Sequence, residues 1–173
     1  MEFETGRLVI RRWNSGDLEE FIKHTSSVKV AEFAGWNPIH PDEADRILNK
    51  IIEKDEARAI VSKETQKPIG IIGVHTDPKR TSPRVKMITY SINEDQWGKG
   101  IMTEAVSALI KQVFTYTEIE TLTVYHYPFN IGSKRVIEKC GFQFEGILRR
   151  ASKIFNGNIY DDVCYSLSRD EYI

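Results

Sequence analysis

Near the middle of the chain, Gln96 to Val106 read QWGKGIMTEAV, and this stretch restricts the fold more than any other. Gly98 and Gly100 flank Lys99; a β-branched run ends just before them, and a helical pattern starts at once after them. Glycines at such a place let the backbone take angles closed to other residues. They also leave N–H groups exposed at a helix start, where anions bind. TLTVYHY, Thr121 to Tyr127, reads as the strand that follows the helix. The loop therefore sits inside a strand–helix–strand crossover, a unit that is normally right-handed with its two strands parallel.

The rest of the pattern is of another kind. RLVIRRW (Arg7 to Trp13), ARAIVSK, IGIIGVH and RVKMITYSI (Arg84 to Ile92) are short apolar strands. The last three are joined by turns such as ETQKP and TDPKRTSP, which make antiparallel neighbours. Between the first and second strands lie helical stretches. One follows Asn14 or Ser15 as cap and carries Leu18, Phe21 and Ile22, with Asp17 and Glu19 in its first turn. A second runs from Val28 to Phe33 and stops at Gly35; a third follows Pro41 with Ala44, Ile47, Leu48, Ile51 and Ile52 at helical spacing. Thr103 to Phe114 and Asn130 to Lys139 are helices, the latter ended by Gly141, and Asn156-Gly157 marks a tight hairpin between two final strands. The fold class predicted is α+β, a three-layer arrangement. A mostly antiparallel sheet, with one parallel pair at its fourth and fifth strands, is flanked by helices as a single domain over residues 1–173.

Composition removes several functions. Lys and Arg number 24 against 25 Asp and Glu, so no positive field draws the chain to nucleic acid. Cys140 and Cys164 are too few for a disulfide framework and lack metal spacing. The first twelve residues, MEFETGRLVIRR, do not look like a secretion signal, and no apolar run is long enough for a membrane span. A cytoplasmic protein with no membrane partner is the expectation.

The glycine loop is not a P-loop, for no G-x-x-x-x-G-K-[ST] occurs. A dinucleotide fingerprint would want Gly or Ala where Thr103 stands, at the opening of a βαβ series rather than after three antiparallel strands. The bland alternative is a tight strand-to-helix turn with no ligand. Against it stands NIGSKRVIEKCGF, Asn130 to Phe142, which starts a second helix after the parallel partner strand and brings Asn130 and Ser133 to the same cleft.

YSINEDQWGKGIMTEAV followed by NIGSKRVIEKCGF resembles the GNAT superfamily of N-acetyltransferases, and within it the Rim-type protein acetyltransferases. Gln96, Gly98 and Gly100 stand at the Gln/Arg-x-x-Gly-x-Gly/Ala signature. The likeness extends to ETGRLVIRRW, GWNP, PIGIIGV and GNIYDDVCYSLSRDEY. The resemblance implies acetyl-CoA as cosubstrate, no metal, and transfer of the acetyl group to an amine. Amides of Gln96, Trp97, Gly98, Lys99, Gly100, Ile101 and Met102, with Thr103, would take the pyrophosphate. Backbone groups of Tyr90, Ser91, Ile92 and Asn93 would pair with the pantetheine arm. The Ile92 N–H would serve the thioester oxygen, and Asn130 a pantetheine amide.

Many members of the superfamily carry a Tyr that protonates the departing thiolate; here that position is Ile137, which has no proton to give. Rim-type proteins carry a Ser at the place of Ser133, so the resemblance assigns Ser133 as the donor, with helix capping as its alternative role. For the base that takes the amine proton, His126 on the fifth strand is a candidate, against a structural role for it. Glu32, His75, Asp161 and Asp162 are further carriers, and Ser152 and Lys153 stand where some relatives place a Glu. Trp36 in GWNP is a candidate wall of the acceptor site.

The leading expectation is acetyl transfer from acetyl-CoA to a protein N-terminal α-amine. The alternatives are a small-molecule amine acetyltransferase and a non-catalytic acyl-CoA sensor. A homodimer stays open.

Overall fold

A computed structural model describes residues 1–172. Among these, β1 is Phe3–Glu4 and β2 Leu8–Arg12, followed by α1 Leu18–Thr25, α2 Val28–Ala34 and α3 Pro41–Lys54. Next come β3 Ala57–Ser62, β4 Pro68–Thr76, β5 Val85–Ile92, α4 Ile101–Tyr116 and β6 Thr121–His126. The chain ends with α5 Ile131–Lys139, β7 Gln143–Lys153 and β8 Ile159–Ser168. The eight strands form one sheet in the order β1-β2-β3-β4-β5-β6-β8-β7. Among the described residues only β5 and β6 run parallel, as the crossover predicts. They are the fourth and fifth strands of the sequence reading, moved up by one because the two-residue β1 pairs with β2 at the edge. So short a strand leaves no pattern to read.

Helix starts and stops follow from capping. Asn14 caps a 3-10 turn, Ser15–Asp17, in a reciprocal box with Asp17, and α1 grows from that turn instead of from Asn14 itself. Gly35 ends α2 in the left-handed region at φ 84°. Pro41 opens α3 at a position where its missing N–H costs nothing. Helix α4 starts two residues before Thr103, directly from Gly100.

The sheet divides two cores. Ile60 on β3 joins a cluster with Val106, Leu109, Ile110 and Val113 of α4 and Ile137 of α5, while its neighbours Ala59 and Val61 join Phe21 of α1 and Leu48 of α3 on the other face. Apart from Ala59, each such buried side chain contributes about 1.5–3 kcal/mol. The buried stripe of α4 therefore fixes the helix, and with it the loop at its start, against the sheet.

Candidate active site

The parallel ladder between β5 and β6 covers only Val85 to Met87 against Thr121 to Thr123. Beyond it the strands separate, and a cleft of about 790 Å³ opens at their C-terminal ends. On its other side β5 remains paired with β4 as far as Gly70 and Ile92, and Asn93 N–H donates to Ile69 O at 2.9 Å. In an antiparallel ladder alternate residues point their backbone groups at the partner. Ser91 and Asn93 therefore face β4, and only Tyr90 and Ile92 of the four expected residues turn N–H and C=O into the gap. The Ile92 carbonyl is taken by Trp97 Nε1–H at 2.9 Å, so the Ile92 N–H and both groups of Tyr90 form the open edge.

The loop that closes this edge is narrower as an anion site than the sequence implied. Gln96 N–H donates to Asn93 O and Trp97 N–H to Glu94 O, both at 3.0 Å. The 3-10 turn Glu94–Gln96 consumes those two amides, although both residues line the cleft. The free set runs from Gly98 to Thr103: none of these six amides finds an acceptor among the described residues, and α4 has no side-chain cap. Gly98 and Gly100 lie at φ 75° and 73°, left-handed angles that exact strain from other residues. A Cβ at Gly98 would meet nothing within 4 Å, and one at Gly100 only Arg7 at 3.8 Å. The loop is pinned from behind, by Arg7 NH1 donating to Lys99 O at 3.0 Å while Arg7 Nε pairs with Glu104 at 2.6 Å. Glu104 sits in the first turn of α4, and its Oε1 also accepts from both Thr5 Oγ1 and the Arg7 N–H; against the pull of desolvation, these donors hold its carboxyl below the usual range.

Helix α5 supplies the opposite wall. Asn130 is its cap: Oδ1 accepts from Ser133 N–H at 2.9 Å, and Nδ2 donates to Phe33 O at 3.0 Å, tying α5 to α2. Ser133 is therefore not the cap, and its hydroxyl lies 2.9 Å from the Tyr90 phenol. Burial raises the Tyr90 phenol well above its ordinary value, so it stays protonated. The sequence reading used Tyr90 only for its backbone; strand alternation from buried Ile88 and Ile92 was the signal that its ring turns toward α5. Ile137, one turn beyond Ser133, is 1% exposed and belongs to the core.

His126 lines the cleft with Nδ1–H donating to Tyr127 O at 2.7 Å, which leaves Nε2 bare, buried and without a partner among the described residues. Burial lowers its pKa. It shares the face of Leu122 and Val124, the α4–α5 face. Of the other carriers only Asp162 lines the cleft, and its carboxylate is already paired. Asp162 pairs with Lys79 Nζ at 2.8 Å, Asp161 accepts the Arg150 N–H, and Glu32 accepts from Asn156 Nδ2 at 3.5 Å. His75 lies on β4 away from the cleft, in a hollow with Glu56 and Thr117. Trp36 lines the cleft as expected, on the face opposite α5 together with Tyr125, Tyr127, Lys79 and Ser152; Lys153 does not reach it. Among the described residues no three His, Cys, Asp or Glu side chains group as metal ligands, and no helix is long and apolar enough to cross a membrane.

The acetyltransferase (GNAT) domain family matches residues 7–143, most of the chain and all of this cleft's glycine loop. The chain belongs to that family. It is an N-acetyltransferase, an acyl-transferring enzyme. The uncharacterized N-acetyltransferase p20 of Bacillus licheniformis is 28% identical over 174 residues, covering 97% of this chain and 96% of its own. Among solved structures, a GNAT-family acetyltransferase from Bacillus anthracis superposes with a TM-score of 0.88 at 22% identity, covering 98% of this chain and 99% of its own. RimL, a ribosomal L7/L12 α-N-protein acetyltransferase in complex with coenzyme A, superposes at 0.81 with 16% identity and 99% coverage of both. At such identities these two structures speak for the shared fold.

Proposed function

We propose that the enzyme transfers the acetyl group of acetyl-CoA to a protein N-terminal α-amine. The observation that carries the reading is the pairing of six unpartnered amides at the start of α4 with an unpaired strand edge at Tyr90 and Ile92. The first suits a pyrophosphate, through hydrogen bonds and the helix dipole. The second suits an amide-bearing arm that adds as a half-strand. Acetyl-CoA carries both, and supplies the activated acyl group. Ile92 N–H faces the gap where negative charge gathers on the thioester oxygen, and a fixed donor there lowers the barrier. Ser133 Oγ–H gives its proton to the leaving sulfur, with Tyr90 O–H donating to Ser133 Oγ behind it. Asn130 orients this pair by holding the first turn of α5.

The likeness to RimL supports an α-amine as acceptor, and the acid–base chemistry agrees. Such an amine titrates near 7.7–8.0, so a fraction is neutral at cellular pH, whereas a lysine amine near 10.4 needs a stronger base. The test is acetyl-CoA-dependent thiol release with peptides bearing free N-termini, the same peptides with blocked N-termini and an internal lysine, and polyamine or aminoglycoside amines. Release with the free N-termini alone is expected. Release with the small amines alone would replace the acceptor assignment, and none with any amine would leave a CoA-binding module.

A further inference from the structure

His24 on α1 is 1% exposed and does not reach the cleft, yet both its ring nitrogens are engaged. Nδ1 lies 2.6 Å from Asn93 Oδ1 and Nε2 lies 2.7 Å from Ser91 Oγ. The Asn93 oxygen can only accept, so Nδ1 carries the proton of the neutral ring. Nε2 is then the bare nitrogen, and it accepts from Ser91 Oγ–H. Ser91 itself is on the cleft wall, beside Trp36 and Ile71. The chain thus holds a buried hydroxyl–imidazole–amide relay, Ser91 to His24 to Asn93, whose open end is a serine oxygen one residue before Ile92.

The two faces of the sheet divide the work. Tyr90 and Ser133 meet on the α4–α5 face, where the leaving sulfur is served, and His126 belongs to that face too. Ser91 and Thr89 alternate to the opposite face, where Trp36, Tyr125 and Tyr127 wall the rest of the cleft. An amine that attacks across the gap from this second face meets Ser91, not His126.

We infer that Ser91 is a catalytic proton relay and that His24, acting through it, is the base of the acetyl transfer. This rests on the acetyl-transfer reading and names the residues that the reading lacked. The amine nitrogen bonds to the acetyl carbon, and the carbon–sulfur bond breaks with its electron pair left on sulfur, which takes the Ser133 proton. Ser91 Oγ accepts the surplus proton of the nitrogen while passing its own to His24 Nε2. The imidazolium keeps its Nδ1–H on Asn93 Oδ1; after product leaves, its extra proton returns to solvent and Ser133 Oγ regains one from solvent, which restores both groups. Ser91 and Asn93 from β5 bond to the ring and the Trp36 indole, from the loop before α3, lies 5.6 Å from it, none of them charged. Burial keeps the resting ring neutral by lowering its pKa, with the Asn93 hydrogen bond working the other way. A neutral ring is what a proton acceptor must be.

Two measurements test this. Nitrogen-15 NMR of the imidazoles should show His24 with Nδ1 protonated and Nε2 bare at neutral pH; the reverse tautomer, or a charged ring, overturns the relay. Turnover is then compared for wild type, Ser91→Ala and His24→Gln, the last keeping a buried polar group without a base. Both variants should retain CoA affinity and lose roughly a hundredfold in kcat, the low end for a lost acid–base group. Wild-type kcat should rise and level off below the ordinary imidazole value of 6.5, whereas kcat of His24→Gln should climb with pH throughout. Rates and pH profiles of both variants matching an active wild type overturn this inference alone. A wild type inactive with every amine overturns the acetyl-transfer reading and this inference with it.

Discussion

Ser133 carries the most local of these assignments, because its hydroxyl is not needed to cap the helix. The cap of α5 belongs to Asn130, and the Ser133 hydroxyl has the Tyr90 phenol as its partner. Removing it should therefore change chemistry more than stability. Ser133→Ala should lower kcat and kcat/KM together by roughly a hundredfold, as expected for a contact made chiefly in the transition state. Tyr90→Phe should act in the same direction, and the double variant should be little worse than Ser133→Ala, since the two hydroxyls act as one unit. Steady-state kinetics at matched CoA affinity checks this; Ser133→Ala within about twofold of wild type would remove the serine from the reaction. A tyrosine placed at Ile137 has no route to rescue, because that side chain is packed in the core and a larger one would overpack it.

At the scale of elements, two helix starts make the site. Asn130 satisfies the first turn of α5 and also holds α2 through the Phe33 carbonyl. Asn130→Ala should cost about 1–2 kcal/mol as a lost cap, and a melt should fall by roughly 2–4 °C per kcal/mol in a chain of this size. An unchanged melting temperature would mean that the cap is replaced by solvent. The start of α4 was legible in the sequence because only glycine takes two left-handed positions next to a helix without strain, and Gly98 and Gly100 do so. The loss of the Gln96 and Trp97 amides was not legible, since it depends on a 3-10 turn that leaves no hydrophobic period. The parallel pair was readable from the crossover around α4; the point at which it separates, after Met87 and Thr123, is a matter of register that no local pattern states.

Across the whole molecule the sheet acts as a partition with one slit. On the proposed reading, α4 and α5 line the slit on the coenzyme side, and β5 and the loop carrying Trp36 line it on the acceptor side, with His24 of α1 behind Ser91. The relay hidden in that arrangement joins residues 67 and 69 apart in sequence, and the Tyr90–Ser133 pair spans 43. Such pairs arise only when packing sets α1 and α5 on opposite faces of β5, which is why His126, a strand residue beside the motif, drew attention in the sequence and His24 did not. Everything in this account depends on the slit accepting acetyl-CoA at the amide cradle. Calorimetric titration of CoA into the wild type and Gly100→Asp tests that directly. The new carboxylate would stand among amides that await a phosphate, near Arg7, on backbone already at φ 73°. Wild type should bind, and the folded variant should bind more than about tenfold more weakly, as repulsion and lost amide contacts together exceed 1.4 kcal/mol. Equal affinity in a folded Gly100→Asp, or no binding by wild type, would contradict the account.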